Sequence, residues 1–462
     1  MAILQKYVKN SSSELVKSTA ESTVFTEAAP LQKEEADDPY WSRSETQLWT
    51  VVLLLGTCLL YCARVAAPIC AVSMASEFQW DKKESGIVLG SFFWGYCFTQ
   101  VLGGYVSDRV GGEKVIVMAT VGWGSLLTLT PMIAHFSAVP LVSVTLSRFL
   151  MGLLQGVHFP SLASLFSQKV PQHERAFISS TVGTGSQIGT LLIGGAGSML
   201  MDWYSWEFVF YFSGLLAVSW AYCIWKQLLK GPILSLETVG VGLVKSRNAR
   251  IPWKRLFSKS PVWAVIFAHL CTSSTFYTLL SWLPTFFKDS FPDAKGWVFN
   301  MVPWLVAIPS SILGGYLSDH LISLGFETAA VRKLMQFFAM GASSVFTLLL
   351  CGTRTFPLAV AFVSATMGFQ TFTHSGVSVN VQDLAPSCAG SLYGVMNTGG
   401  ALSGVFFVYF SGYVIDTTGS WASVFALMSL VNVVGLVVFL VFAEAERVDI
   451  DDSKPKCESI QI

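Results

Sequence analysis

The sequence predicts an all-α integral membrane protein built as two related six-helix bundles, twelve transmembrane helices in all. Three observations carry that prediction. Hydrophobic residues make up 52% of the 462 and charged residues 13%, about half the charged share of a soluble chain. Apolar runs of about 20 residues, the length that crosses a ~30 Å hydrocarbon core as a helix, recur in two groups of six. Finally, Leu102 to Val110, L-G-G-Y-V-S-D-R-V, returns as L-G-G-Y-L-S-D-H-L at Leu313 to Leu321, 211 residues later. A second echo agrees: Ser205-Trp206 with Val209-Phe210 returns as Ser420-Trp421 with Val424-Phe425, at an offset of 215. A unit of about 210 residues is therefore duplicated head to tail.

Taken in order, the first 45 residues mix Ser, Thr, Glu, Asp and Lys without an apolar core. That predicts a disordered tail and no cleavable signal peptide, so the first span itself directs insertion. The first half, 46–229, carries spans near 48–72, 86–107, 115–134, 139–166, 176–201 and 207–229. A polar linker follows over 230–260. The second half, 261–443, carries spans near 261–287, 297–318, 332–352, 356–381, 389–415 and 421–443, and 444–462 is a second tail. Lipid offers the backbone no partner, so each span closes its own hydrogen bonds as a helix. Fourteen Lys and Arg, among them Arg109, Lys114, Arg175 and Arg332, fall on one side, against five on the other. This bias predicts that both termini and the linker are cytoplasmic.

Glycines cluster between Gly183 and Gly197 in span five and between Gly390 and Gly412 in span eleven, where small residues let helices approach closely. The run G-T-G-S-Q-I-G from Gly183 has one residue too many between its glycines and lies in a span rather than after a strand, so it is not read as a dinucleotide fingerprint. Nine cysteines at irregular spacing form no zinc pattern or disulfide framework, and no cofactor is expected. The spans hold no carboxylate pair, metal cluster or nucleophile with its base, which argues against an enzyme.

Two charges stand inside the spans, Arg64 in span one and Arg148 in span four. Asp108, Asp202, Glu207, Asp319, Asp383 and Asp416 all fall at span ends. Each arginine lies roughly 12 Å below one surface at 1.5 Å per residue, so both can face one cavity. Intramembrane charges usually face a cavity or a partner, and two unpaired guanidiniums suit an anion with phosphate or carboxylate oxygens. The alternative is that one or both snorkel or cap backbone carbonyls. Weaker binding candidates are Gln155, Phe93, Trp94, His374 and Asn380. The run Phe92, Phe93, Trp94, Tyr96 can stack on a flat ligand such as a purine or simply pack. His374, like His158 and His269, can relay protons or pack. Gly104, Asp108 and Arg109, echoed by Gly315, Asp319 and His320, are read as a gate at the cytoplasmic ends of spans two and eight.

These residues carry a resemblance. G-G-Y-V-S-D-R-V-G-G-E-K, Gly103 to Lys114, resembles the loop signature of the major facilitator superfamily. S-F-F-W-G-Y-C-F-T-Q (Ser91 to Gln100), R-F-L-M-G-L-L-Q-G-V-H-F-P (Arg148 to Pro160) and N-V-Q-D-L-A-P-S-C-A-G (Asn380 to Gly390) resemble its organic-anion and phosphate transporter family, which includes the vesicular glutamate transporters and sialin. Y-C-A-R (Tyr61 to Arg64), L-S-W-L-P-T-F-F, F-P-D-A-K-G-W and V-R-K-L-M-Q are similar to that family's vesicular nucleotide transporters. The resemblance implies a two-bundle transporter fold and uptake of ATP, ADP or GTP into secretory vesicles or lysosomes. It also implies drive by an inside-positive potential from a vacuolar proton pump, with chloride as activator and no nucleic-acid partner. The family's substrate arginines map onto Arg64 and Arg148. Where glutamate transporters carry a glutamate, a histidine and an arginine, this chain has Gln155, Leu89 and Thr272, which removes the proton-coupling carboxylate and argues for potential-driven movement. A carboxylate or phosphate carrier of the same family, and an anion channel, are the competing readings.

Overall fold

In this computed structural model, residues 40–230, 251–292 and 296–450 are described. Most of the tail expected at 1–45, most of the linker expected at 230–260 and the end of the tail at 444–462 lie outside the described residues. No strand is present among those described.

Span one is the helix Arg43–Phe78, opened by a capping box in which the Ser42 hydroxyl accepts from the Glu45 N–H and the Glu45 carboxylate accepts from the Ser42 N–H. It therefore starts inside the expected tail. Pro68 lies within it, and a proline has no N–H for the carbonyl four residues back, which is that of Arg64. Spans two and three, Lys82–Val110 and Gly112–Phe136, meet at Gly111, whose φ of 107° is rarely open to residues with a Cβ. Span four is two helices, Pro140–Gln155 and His158–Lys169. Span five is four segments: Arg175–Gly183, Gly185–Leu192, a π-helical turn Ile193–Gly197, and Ser198–Trp203. Span six is Trp206–Lys230.

The second half opens with a short helix, Trp253–Ser258, inside the expected linker, and then span seven, Ser260–Ser290. Span eight is Gly296–Ser323, and span nine runs Thr328–Gln336, a π turn Phe337–Ala342, and Ser343–Leu349. Span ten is Phe356–Gln370, a 3-10 turn Thr371–His374, and Val377–Leu384. Spans eleven and twelve are Ala389–Thr418 and Trp421–Phe442. Among the described residues, eleven runs are long and apolar enough to cross a membrane. The expected twelfth, span five, is present as a broken run, because a glycine inside a helix costs about 1 kcal/mol against alanine and I-G-G-A-G loosens into a π turn.

Each half packs its own core, with Leu60, Phe92, Trp123, Met151 and Phe210 in the first. The second gathers Val265, Met335, Phe372, Leu392 and Phe439, and takes in Ala163 from span four. Beyond span twelve the chain folds back on span ten: Asn380 Nδ2 donates to the Glu444 C=O at 2.9 Å, and Val448 N–H donates to the Leu384 C=O at 2.8 Å. Ser387 N–H donates to Asp449 at 2.9 Å. Burial works against charge on Asp449, but hydrogen bonds from Arg447 and Ser387 outweigh it and hold its carboxyl below the usual range. The start of the second tail is thus pinned rather than free.

Spans two and four touch backbone to backbone. A Cβ on Gly152 would stand 2.1 Å from the Phe92 carbonyl oxygen, and one on Gly95 would stand 2.1 Å from that of Phe149. Gly152→Ala must push the two helices apart, and overpacking of this kind costs about 1–3 kcal/mol. A fall in the unfolding midpoint of the detergent-solubilised variant, with loss of ligand stabilisation, is the expected result.

Candidate functional site

The close approach of spans two and four sets the Phe92 ring between the two arginines. The Arg64 guanidinium lies 5.3 Å from the Phe92 ring centre and that of Arg148 lies 5.0 Å from it. Arg64 is also held over Tyr61 and Tyr96, each at 4.7 Å. Each such contact offsets about 2 kcal/mol or more of desolvation in a dry site. Seven residues, two helical turns, separate Arg148 from Gln155 and bring both to one face. Gln155 Oε1 accepts from Arg64 Nε at 3.3 Å. Arg148 is only 3% exposed, so it does not snorkel, and among the described residues its side chain makes one hydrogen bond, a weak one from Nη1 to the Met151 sulfur. Among the described residues neither arginine has a carboxylate partner. Arg64 Nη2, Arg148 Nε and Gln155 Nε2 are buried donors without an acceptor.

A polar line continues from this pair across to the second half. Asn397 of span eleven donates through Nδ2 to the Tyr96 hydroxyl and to Gln100 Oε1, both at 3.1 Å, and its Oδ1 lies 3.3 Å from His269 Nε2. A cavity of about 580 Å³ lies beside spans two, seven and eleven, lined by Phe93, Tyr277, Trp282, Gly404 and Tyr409 among others. The space is an open groove, since Phe93, Val405, Tyr409 and Tyr413 on its walls are all exposed. On the side of Ala67, Trp80 and Phe210, Arg148 borders a narrow slit of about 10 Å³.

At the end where spans two and eight terminate, the halves are closed on each other by a reciprocal exchange. Asp108 accepts from the N–H groups of Gly390 and Ser391, at 3.0 and 2.8 Å, and from the Ser391 hydroxyl at 2.6 Å. Asp319 accepts from the N–H groups of Ala176 and Phe177, at 3.3 and 2.7 Å. Span eleven and the first helix of span five carry no capping side chain of their own. Each half therefore supplies the carboxylate that caps a helix of the other, where the helix dipole favours negative charge. A Cβ on Gly104 would stand 2.1 Å from the Gly390 carbonyl oxygen, and one on Gly315 would stand 2.7 Å from that of Ala176. Asp383 completes the closure: Arg332 Nε donates to it at 2.8 Å, and Arg175, from the other half, sits 3.5 Å away. Their places in the sequence put Arg175 and Arg332 among the loop cations. Both are buried, because Asp383 and the surrounding carbonyls hold them.

The other sequence candidates are dispersed. Trp94 is 64% exposed, while Phe93 lines the cavity. The rings that face the guanidiniums are Phe92 and Tyr96, one helical turn apart. His374 packs against Gly183, and Asn380 holds the folded-back tail, so neither touches Arg64 or Arg148. Arg109 lies 4.3 Å over its own Tyr105, as His320 stacks on Tyr316 at 5.7 Å; the repeat extends to these pairs, which do not cross between halves. Sequence reasoning missed Asn397, Gln100 and Tyr277, whose only signal was polar or aromatic character inside apolar runs, while His269, read as a proton relay or a packing residue, takes its place in the polar line. At the opposite end, His135 turns Nε2 to Glu207 at 3.1 Å and Nδ1 toward Glu77 at 3.7 Å. One ligand atom from each of Glu77, His135 and Glu207 lies within 4.8 Å of the others.

Two pseudo-symmetric helical halves, a cationic centre and a closure at one end define a membrane transporter rather than an enzyme. The chain belongs to the Major Facilitator Superfamily, whose family model matches residues 52–408. It is 56% identical to the voltage-gated purine nucleotide uniporter of Homo sapiens over 424 residues, 91% of this chain and 97% of that protein. It is likewise 32% identical to the chloroplastic ascorbate transporter of Arabidopsis thaliana over 423 residues, 89% of this chain and 77% of that one. Among solved structures, the proton:xylose symporter XylE bound to 6-bromo-6-deoxy-D-glucose superposes with a TM-score of 0.70 at 13% identity, covering 88% of this chain and 98% of that one. The fucose transporter FucP in its outward conformation gives 0.66 at 12% identity, covering 86% and 99%.

The closure predicts a labelling result. Cys388 is buried two residues before the Gly390 contact. Asp108→Asn removes the charge from the cap, and Gly104→Val removes the close approach. Both are expected to raise the rate of Cys388 modification by a membrane-impermeant maleimide several-fold, and an unchanged rate would show that this end is not held by these groups.

Proposed function

We propose that this chain carries purine nucleotides across a membrane by alternating access, driven by membrane potential. The observation that carries the reading is a pair of intramembrane arginines, Arg148 buried and Arg64 half-buried, without a carboxylate partner among the described residues, in a chain 56% identical to a purine nucleotide uniporter over nearly its whole length. Guanidinium forks match phosphate oxygens in pairs, and their unpaired donors are satisfied only when an anion arrives. Arg64 and Arg148 are assigned to the phosphates, with Gln155 orienting Arg64. Asp108 and Asp319, with Gly104 and Gly315, form the gate, and the two halves rock about the central site.

Each elementary charge moved through 100 mV contributes ~2.3 kcal/mol, so a nucleotide with three or four negative charges gains roughly 7 to 9 kcal/mol per 100 mV. Gln155, a neutral amide seven residues after Arg148, leaves the arginine pair without a proton-carrying carboxylate, which suits a uniporter. We further assign the gated end, both termini and the linker to the cytoplasm, from the excess of Lys and Arg on that side. The carrier then fills secretory vesicles or lysosomes, depends on a vacuolar proton pump for its potential, and takes chloride as activator.

The test is uptake of labelled ATP into proteoliposomes under an inside-positive potential with no pH gradient. Saturable uptake, accelerated by counterflow and reduced at least tenfold in Arg148→Ala with intermediate recovery in Arg148→Lys, is expected. Transport of glutamate, ascorbate or phosphate in place of ATP would overturn the substrate, and non-saturable flux would indicate a channel.

A further inference from the structure

The wall of the cavity facing Phe93 is aromatic because of what span eleven lacks. A Cβ on Gly404 would stand 2.2 Å from Tyr277 Cδ2, and one on Gly412 would stand 2.9 Å from Trp282 Cζ2. Both span-seven rings therefore rest directly on span-eleven backbone. Trp282 is fixed further, its indole N–H donating to the Val408 C=O at 3.0 Å. Rings seated this way lose little freedom when a ligand arrives. Phe93 adjoins Phe92, with ring centres 5.4 Å apart, and Phe92 is the ring shared by both guanidiniums. An aromatic compartment thus opens beside a cationic one, with Phe93 supplied by one half and Tyr277 and Trp282 by the other.

We propose that Phe93, Tyr277 and Trp282 form a separate subsite for the flat, uncharged end of the ligand, the nucleobase, while the arginines take its phosphates. This rests on the nucleotide reading above and adds to it that affinity is divided between stacking and charge. Because the stacking groups come from both halves, a bound base bridges the two bundles.

The experiment uses the full-length protein in proteoliposomes, with labelled ATP uptake inhibited by unlabelled ATP or by inorganic tripolyphosphate, which has the phosphate chain and no base. Base stacking on one aromatic side chain is worth ~1–3 kcal/mol, or roughly five- to 150-fold. Tyr277→Leu is expected to raise the half-inhibiting ATP concentration about tenfold while that of tripolyphosphate stays within twofold. Tyr277→Phe, which keeps the ring, restores the ATP value. Should Tyr277→Leu fail to fold, Phe93→Leu carries the same expectation from the other wall. Unchanged constants for both inhibitors, or equal weakening of both, would overturn the subsite. Failure of the wild type to accumulate ATP would instead overturn the nucleotide reading on which it rests.

Discussion

Two arginines in an apolar bundle, Arg148 buried and Arg64 half-buried, without a counter-charge among the described residues, are the constraint around which this molecule is arranged. Taking one such ion out of water costs several kcal/mol after relaxation, and a nearby carboxylate would be the simplest remedy. The first half uses aromatic faces instead: Phe92 lies between Arg64 and Arg148, and Tyr61 and Tyr96 flank Arg64. A quadrupole offsets part of the desolvation without neutralising the charge, so the centre remains positive. A carboxylate would have filled that role permanently. The glycines at 95 and 152 let spans two and four meet backbone to backbone beside this cluster, with Phe92 itself at the contact.

The second constraint is that the halves must hold together at one end and still be able to part. Asp108 and Asp319 meet it by capping helices that belong to the opposite half. A helix N-terminus presents several N–H groups and a dipole, so the carboxylate keeps strong hydrogen bonds here, yet no cation is left stranded when the halves separate, because water can satisfy the same N–H groups. The Arg175–Asp383–Arg332 cluster is different in kind. Its two cations and one anion are buried, and opening must expose them together.

Much of the fold was legible before any coordinates. Span length, hydropathy and the 211-residue echo depend on local composition, and the echo foretold that Asp108 and Asp319 would make equivalent contacts. The boundaries were less legible: Ser42 and Glu45 open span one inside a polar tail, and Val448 and Asp449 pin a segment whose composition reads as loose. Span five reads as a single apolar run, but its glycines divide it. In the site, Arg64 and Arg148 stand out because a charge in an apolar run is costly wherever it points. Phe93, Trp94, His374 and Asn380 could not be sorted, since aromatic and amide side chains are equally at home facing a ligand, a neighbouring helix or lipid.

The sequence by itself determined that the chain crosses a membrane, that it is two copies of one unit, and that two arginines lie in its interior. Each of these follows from the price of polar and charged groups in hydrocarbon, which is paid residue by residue and shows in one dimension. Only the tertiary structure decided which rings face the arginines, that Asn397 and His269 continue their polar line into the other half, and that Arg175 and Arg332 are buried on Asp383. Those outcomes depend on how each helix is rotated about its axis and on partners 50 to 300 residues away in the chain. Rotation is set by packing between helices, and no single helix encodes it.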